Sequence, residues 1–301
     1  MTATATLRIG TRRSRLALAQ ADIAASALGP LVGAVSLVPI TTRGDEISAR
    51  QARGRWVLTD GQFTRELELA LLDQVVDVVV HSYKDLPTEP VDGLLIAAVL
   101  ERGDPRDCLL SRDGVSVDDL PFGARIGTSS PRRAAQLAAA RSDLIAVPIR
   151  GNVETRLRRL AAGEYDGLLL AAAGLDRLGI EVPEAARLPL ALMLPAPAQG
   201  ALALQVRSGD GALVATLAGV DHRPTRIAVE SERRLLRHLG GGCLAPLGAL
   251  GEVAGDALRL RAAFEAPNGS YVRAEATGHA ADPDSVIDEV ATAIATALAV
   301  A

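Results

Sequence analysis

Lysine is almost absent from this chain. Its 32 basic residues include a single lysine, Lys84, and all the others are arginine. Aromatic residues make up 2% of the 301 positions, which leaves few stacking platforms for single-stranded nucleic acid. A formal net charge of −4 argues against a broad nucleic-acid-binding surface. Two cysteines, Cys108 and Cys243, are too few for a disulfide framework, and free thiols in a reducing compartment are expected. No segment reaches the ~18 uninterrupted apolar residues of a membrane span. Residues 1–10 lack the basic start and apolar core of an export signal. A cytoplasmic protein with neither nucleic-acid nor membrane partners is therefore expected. The four histidines, His81, His222, His238 and His279, have no Cys or His partner at ligand spacing, so no metal site is expected.

Hydrophobic residues, by contrast, are plentiful at 49%, enough for two domains and perhaps three. Two stretches echo each other. Arg8-Ile9-Gly10-Thr11-Arg12-Arg13-Ser14 leads into a helical pattern over 16–28, and Arg125-Ile126-Gly127-Thr128-Ser129-Ser130-Pro131-Arg132-Arg133 leads into one over 134–140. In the same order, Val38-Pro39-Ile40 and Val147-Pro148-Ile149 each precede a polar turn. Two ordered echoes suggest two lobes of related build. Buried strands are predicted over 76–80 and 167–170, followed or preceded by helices over 63–72 and 153–162. That alternation argues α/β lobes with mainly parallel sheets.

Proline and glycine cluster at 102–107 and 194–200, two candidate connections between lobes. A strand over 201–206 could return to the first lobe. Beyond residue 220 a helix is predicted over 225–239. Strands follow over 247–253, 257–265 and 271–276, with a hairpin turn at Asn268-Gly269, and a last helix over 285–298. The division expected is 1–101 with 199–219 as the first α/β lobe, 102–198 as the second, and 220–301 as a small α+β domain. Residues 43–61, charged and weakly periodic, read as a mobile loop.

Several groups could carry chemistry. The glycine turns deliver helix N-termini, whose free N–H groups attract anions. Thr128, Ser129 and Ser130 add hydroxyls there, although such residues commonly serve only as caps. Arg132 and Arg133 follow at once, Arg150 sits at the next strand-to-helix turn with Arg156 beyond it, and Arg12 and Ser14 occupy the matching place in the first lobe. Guanidinium forks bind carboxylates, so a ligand with several carboxylates is expected; the alternative is a set of solvated surface arginines. His81-Ser82-Tyr83-Lys84-Asp85 follows a buried strand, where polar groups are often functional. Asp85 could pair with Lys84, stabilise a developing cation or shuttle a proton. His81 could equally be a satisfied structural histidine. The lone Lys84 reads either as a need for a compact ammonium or as a chance survivor. Cys243 follows Gly240-Gly241-Gly242, an unusual neighbourhood for a core thiol, and a thiolate could hold a permanent adduct. Cys108 reads as a core cysteine.

Taken together, Thr11 to Ser14, Thr42 to Asp45, His81 to Pro87, Gly127 to Arg133, Arg150 to Arg156, Leu194 to Gly200 and Gly241-Gly242-Cys243 resemble the porphobilinogen deaminase family, in family order and over nearly the whole chain. The resemblance implies two lobes like those of periplasmic binding proteins plus the C-terminal α+β domain. It implies a transferase of tetrapyrrole and haem biosynthesis that joins four porphobilinogen units, each losing ammonia, and releases hydroxymethylbilane by hydrolysis. One dipyrromethane cofactor per chain would be held by a thioether to Cys243, with Lys84, Ser129, Arg132, Arg133 and Arg150 as its binding residues. Asp85 would be catalytic, and Arg12, Ser14, Ser82, Thr128, Ser130, Arg156 and Gln199 would bind substrate. A monomer is expected. Departures are Asp60 where many relatives carry lysine, Ala198-Gln199-Gly200 in place of a more usual Gly-Gln-Gly, and Pro131 in place of an apolar residue.

Two other readings compete. A non-catalytic two-lobed binding protein for a polycarboxylate would need neither Cys243 nor Asp85. A Schiff-base enzyme built on Lys84 would need a depressed lysine pKa, which the adjacent Asp85 opposes.

Overall fold

The computed structural model describes residues 6–42, 64–240 and 245–300. The loop expected over 43–61, Asp60 within it, and Gly241-Gly242-Cys243 lie outside the described residues.

The first echo forms β1 (Leu7–Arg12), followed by α1 (Arg15–Val32) and β2 (Val35–Ile40). Ser14 caps α1, its side chain accepting from the Ala17 N–H, so a short polar residue ends the strand and starts the helix. Then come α2 (Arg65–Leu72), β3 (Val78–Ser82) and β4 (Leu94–Val99). The second echo forms β6 (Arg125–Gly127), α3 (Pro131–Ala140) and β7 (Ile145–Val147), preceded by β5 (Asp107–Ser111). Ser130 caps α3 with Pro131 at its start, where a missing N–H costs nothing. α4 (Val153–Ala161), β8 (Gly167–Ala171) and α5 (Ala172–Arg177) complete that part.

The strand expected over 201–206 is β9 (Leu202–Arg207). It lies in the first sheet, whose order is β2-β1-β3-β9-β4. β1 runs parallel to β2 and β3, whereas β9 runs antiparallel to both β3 and β4. The second sheet has the order β5-β8-β6-β7, with β5 as its antiparallel member. Each sheet is thus mainly parallel with one reversed strand, and the echoed segments occupy equivalent strands. Apolar clusters cover both faces of each sheet. One face of the first buries Ile9, Leu28 and Val80 and the other Leu71, Val76 and Val79. The second buries Ile126 and Leu137 on one face and Leu160, Leu168 and Leu175 on the other. Two-sided burial is why β3 and β8 read as unbroken apolar runs.

After α6 (Gly211–Leu217) and α7 (Arg223–His238), β10 (Leu247–Ala254), β11 (Ala257–Glu265) and β12 (Tyr271–His279) form an antiparallel sheet, closed by α8 (Pro283–Val300). Leu235 of α7 and Val290 and Ile294 of α8 share its core with Leu247 and Leu260. The hairpin turn is where expected, with Gly269 at φ 85°.

The chain separates into two compact units, Met1–Arg102 with Ala201–Arg226, and Gly103–Gly200 with Ile227–Ala301. The divisions at 102/103 and 200/201 fall within or beside the two proline- and glycine-rich connections.

Many arginines act on main-chain carbonyls. Arg207 donates to Leu71 O and Val76 O, Arg141 to Val117 O and Leu120 O, and Arg273 to Leu190 O and Ala191 O. A planar fork with five donors can serve two carbonyls at once, which the single point of an ammonium does less well.

Ala198 has φ 61° and is fully buried, a left-handed conformation that costs a residue with a Cβ roughly 1–2 kcal/mol. Glycine would relieve that cost but lose about 0.5–1 kcal/mol to unfolded-chain entropy. Ala198→Gly is therefore expected to stabilise the protein by about 0.5–1 kcal/mol, read from the midpoint of chemical denaturation; a lower midpoint would contradict the strain.

Candidate functional site

In the first unit the polar residues gather at the C-terminal ends of two adjacent parallel strands. Arg12 ends β1 and Ser82 ends β3, with Lys84 and Asp85 in the 3-10 turn Tyr83–Asp85 that follows. The buried Gln20 of α1 ties that helix to the end of β3, its amide nitrogen 2.8 Å from Ser82 Oγ. Asp85 is exposed and Lys84 half-buried. His81 is buried, and its Nε2 lies 2.9 Å from Gln205 Oε1 on β9. Burial, opposed by that hydrogen bond, brings its pKa down to about 4. The neighbouring Glu68, also hydrogen-bonded by Gln205, is pushed up by burial. His81 is thus a neutral, satisfied histidine of the strand that presents Lys84 and Asp85.

In the second unit two arginines and a glutamine converge on Asp107, the first residue of β5. Its carboxylate is fully buried. Oδ1 accepts from Arg133 Nη2 at 2.7 Å, Arg133 Nε at 3.2 Å and Gln199 Nε2 at 2.9 Å. Oδ2 sits 2.7 Å from Arg132 Nη1, in an ion pair whose angles do not suit a hydrogen bond. Burial would raise this carboxyl, but the two guanidiniums outweigh it and hold it well below the usual carboxylate range. Arg132 also donates to Leu194 O, and Arg133 to Leu169 O. The buried Nε of Arg132 has no hydrogen-bond partner.

Arg156 on α4 donates its Nε to Gly151 O at 2.9 Å. Burial first, then repulsion from Arg133 and Arg150, lowers its pKa to about 10. Arg156 therefore lies close enough to Arg133 and to Arg150 to be opposed by each, and among the described residues neither Arg150 nor Arg156 has a carboxylate partner. The hydroxyls beside them are engaged within the protein. Ser129 Oγ bonds both Ile149 O and Ile149 N, Thr128 Oγ1 accepts from Ser130 N, and Ser130 Oγ caps Arg133 N.

The sequence-expected residues thus form two groups. Arg12, Ser14, Ser82, Lys84 and Asp85 lie in the first unit, and Thr128, Ser129, Ser130, Arg132, Arg133, Arg150, Arg156 and Gln199 in the second. Sequence reasoning passed over Asp107 as part of a connection. The signal was an acidic residue opening the apolar run Cys108-Leu109-Leu110, a charge that would have to be buried and paired. Cys108 is a buried free thiol, as expected, and burial pushes it up to about 11.

The buried Arg132 and Arg133 on one carboxylate, with the half-buried Arg156 and the exposed Arg150 nearby, suit a ligand with several carboxylates. A family model described as "Porphobilinogen deaminase, dipyromethane cofactor binding domain" matches residues 7–215, and one described as "Porphobilinogen deaminase, C-terminal domain" matches residues 226–296. The chain belongs to the porphobilinogen deaminase family. Curated porphobilinogen deaminases are similar along nearly their whole length. That of Thermobifida fusca is 49% identical over 97% of this chain and 91% of its own, and that of Desulforudis audaxviator 46% over 94% and 92%. Among solved structures, a periplasmic substrate-binding protein of an ABC transporter from Coxiella burnetii is similar at 15% identity, with a TM-score of 0.44 over 76% of this chain and 97% of its own. The non-catalytic binding-protein alternative is not favoured by the family matches. No helix among the described residues is long and apolar enough to cross a membrane.

The cofactor of this porphobilinogen deaminase family member fits the residues present. A dipyrromethane carries acetate and propionate groups, and the second unit offers the unpartnered Arg132 Nε and the two guanidiniums of Arg150 and Arg156 without carboxylates.

Removing the central carboxylate leaves two buried cations uncompensated, so Asp107→Asn is expected to cost about 3–5 kcal/mol of stability, measured by denaturant unfolding; a loss below 1 kcal/mol would show that the pair is not central (about one surface ion pair's worth). His81 binds a proton in the unfolded chain near 6.5 but in the folded protein only near 4. Between these values the unfolded state holds more protons, so this residue should remove about 1.4 kcal/mol of stability per unit as pH falls through that window. His81→Gln should flatten the slope, and the wild-type ring resonances should not titrate above pH ~5.

Proposed function

We propose that this chain condenses four porphobilinogen units head to tail on a covalently held dipyrromethane and releases the linear tetrapyrrole by hydrolysis, as a transferase of haem biosynthesis. The observation that carries the reading is Arg156, without a carboxylate of its own and opposed both by Arg150 and by the Arg133 that Asp107 holds, a cation surplus that a chain of pyrrole carboxylates would neutralise. The cofactor, when bound, supplies the pyrrole carbon to which the next unit is joined.

The residue roles are assigned as follows. Cys243 anchors the cofactor by a thioether, and Arg132, Arg133, Arg150, Ser129 and Lys84 hold its carboxylates and backbone. Arg156, Arg12, Ser14, Ser82, Thr128, Ser130 and Gln199 bind or frame the incoming unit. The hydroxyls of Ser129, Ser130 and Thr128 act chiefly by fixing the turns on which the arginines stand, since each is engaged with main chain. Asp85, exposed past the end of β3, accepts pyrrole N–H groups and stabilises the positive charge that develops as the C–N bond breaks and ammonia leaves. Lys84 places a compact ammonium, a point charge rather than a planar fork, against a substrate or cofactor carboxylate. The chain works as three domains, with 220–301 as the α+β domain and the first two as α/β lobes. It acts as a cytoplasmic monomer without nucleic-acid partners.

Intact-protein mass spectrometry should find an adduct of dipyrromethane mass, absent in Cys243→Ala; an unmodified, fully active enzyme would overturn the assignment. Asp85→Ala should keep the adduct and lose at least ~10³-fold in turnover; near-normal turnover removes Asp85 from its role. Lys84→Arg should lower kcat/KM by about tenfold, and unchanged kinetics would make the solitary lysine an accident of composition.

A further inference from the structure

A second buried carboxylate stands outside all the roles assigned above. Glu232 lies in the middle of α7 and is fully buried. Its Oε2 accepts from the Ala198 N–H at 2.6 Å and its Oε1 from the Gly251 N–H at 2.7 Å. One carboxylate thus joins α7 to β10 and to the segment 194–200. Both bonds are short and charge-assisted, the stronger kind of hydrogen bond.

The surroundings make the two contacts specific. β10 runs against the backbone of α7 so closely that a Cβ on Gly251 would come within 2.8 Å of Ala228 O. The Gly251 N–H is thereby fixed relative to Glu232. On the other side, Ala198 is the residue held at φ 61°, and such a conformation persists where its surroundings over-determine it. The next residue, Gln199, donates to Asp107 Oδ1, which holds Arg133 and faces Arg132. The same segment is fixed one turn earlier, where Gln136 bonds both Leu194 N and Leu194 O. Between Leu194 and Asp107, the Glu232 bond to Ala198 sets the backbone direction from which Gln199 reaches the carboxylate.

We propose that Glu232 is a positioning residue: through the Ala198 amide it sets Gln199, and through Gln199 and Asp107 it sets the guanidiniums of Arg132 and Arg133. The inference rests on the proposed function for what those guanidiniums hold. A carboxylate is required because both partners are donors. The amide of a glutamine would offer one acceptor oxygen and turn its NH2 towards the other backbone N–H, leaving that donor unpaired in the interior. Misplacement of about 1 Å at binding groups is enough to cost much of their effect.

The test compares Glu232→Gln with Ile294→Ala, a cavity in the α8 core that lowers stability without touching the segment 194–200. In the wild type, amide exchange should show Ala198 and Gly251 protected together; rapid exchange at either would overturn the proposal even if Glu232→Gln fails to fold. In folded Glu232→Gln, exchange at Ala198 should accelerate about tenfold or more, KM for porphobilinogen should rise by about tenfold with a smaller change in kcat, and the fraction of protein carrying the mass adduct should fall. Ile294→Ala, at a similar melting temperature, should leave KM and adduct fraction near wild type. Equal KM and adduct fraction in the two variants would reduce Glu232 to a structural residue. The wild-type control separates the two levels: an active wild type with its adduct upholds the function while the variants judge Glu232, and an inactive wild type without adduct fails the function whatever the exchange rates show.

Discussion

The buried carboxylate of Asp107 is the point on which the second unit turns. It brings two consecutive arginines off the start of α3 and a glutamine from the segment 194–200 onto one pair of oxygens. An isolated charge at that depth would be neutralised by a shifted pKa; here the guanidiniums keep it ionised. The arrangement also limits what the arginines can do. Part of each fork is spent inside the protein, on Asp107 and on the carbonyls of Leu194 and Leu169. What remains is directed by that internal attachment, so the direction of the remaining donors is set before any ligand arrives. Such preorganisation is what makes an electrostatic site effective.

The composition has a structural counterpart. Arginine serves in this chain as a main-chain clamp as much as a surface charge, bridging pairs of carbonyls at strand and loop ends. That use needs several donors in a plane. Lys84 stands apart both chemically and in position, in a 3-10 turn after a buried strand. The two cationic types therefore divide along lines of geometry. Forks build the frame and hold the buried carboxylate of Asp107, and one point charge sits beside Asp85.

Much of the fold could be read from residues alone because the signals were local. The echoed strand–glycine–helix segments became β1–α1 and β6–α3, and Ser14 and Ser130 became their caps. The apolar runs of β3 and β8 reported two-sided burial directly. β4 and β5 were not anticipated. β4 pairs with β9, a strand more than 100 positions later in sequence, and β5 starts on a charged residue whose burial depends on partners 26 and 92 positions away. Such pairings leave no periodic trace. The arginine cluster was legible as a set of residue types at strand ends, but its central carboxylate was not, because an aspartate between proline, arginine and cysteine looks like part of a polar turn until its partners are known. Glu232 was hidden for the same reason: on an arginine-rich amphipathic helix, a glutamate reads as a solvated charge.

The left-handed alanine at 198 narrows the substitutions open to this chain. Branched and bulky side chains are barred there by backbone geometry. Asparagine and aspartate tolerate the conformation but would bring a polar group into a fully buried position, beside a carboxylate already occupied by two amides. Glycine is the one exchange that meets both conditions. The neighbourhood is therefore close to a dead end in sequence space: drift at 198 runs between two residues, and change elsewhere in the segment must leave the amide at 198 pointing at Glu232.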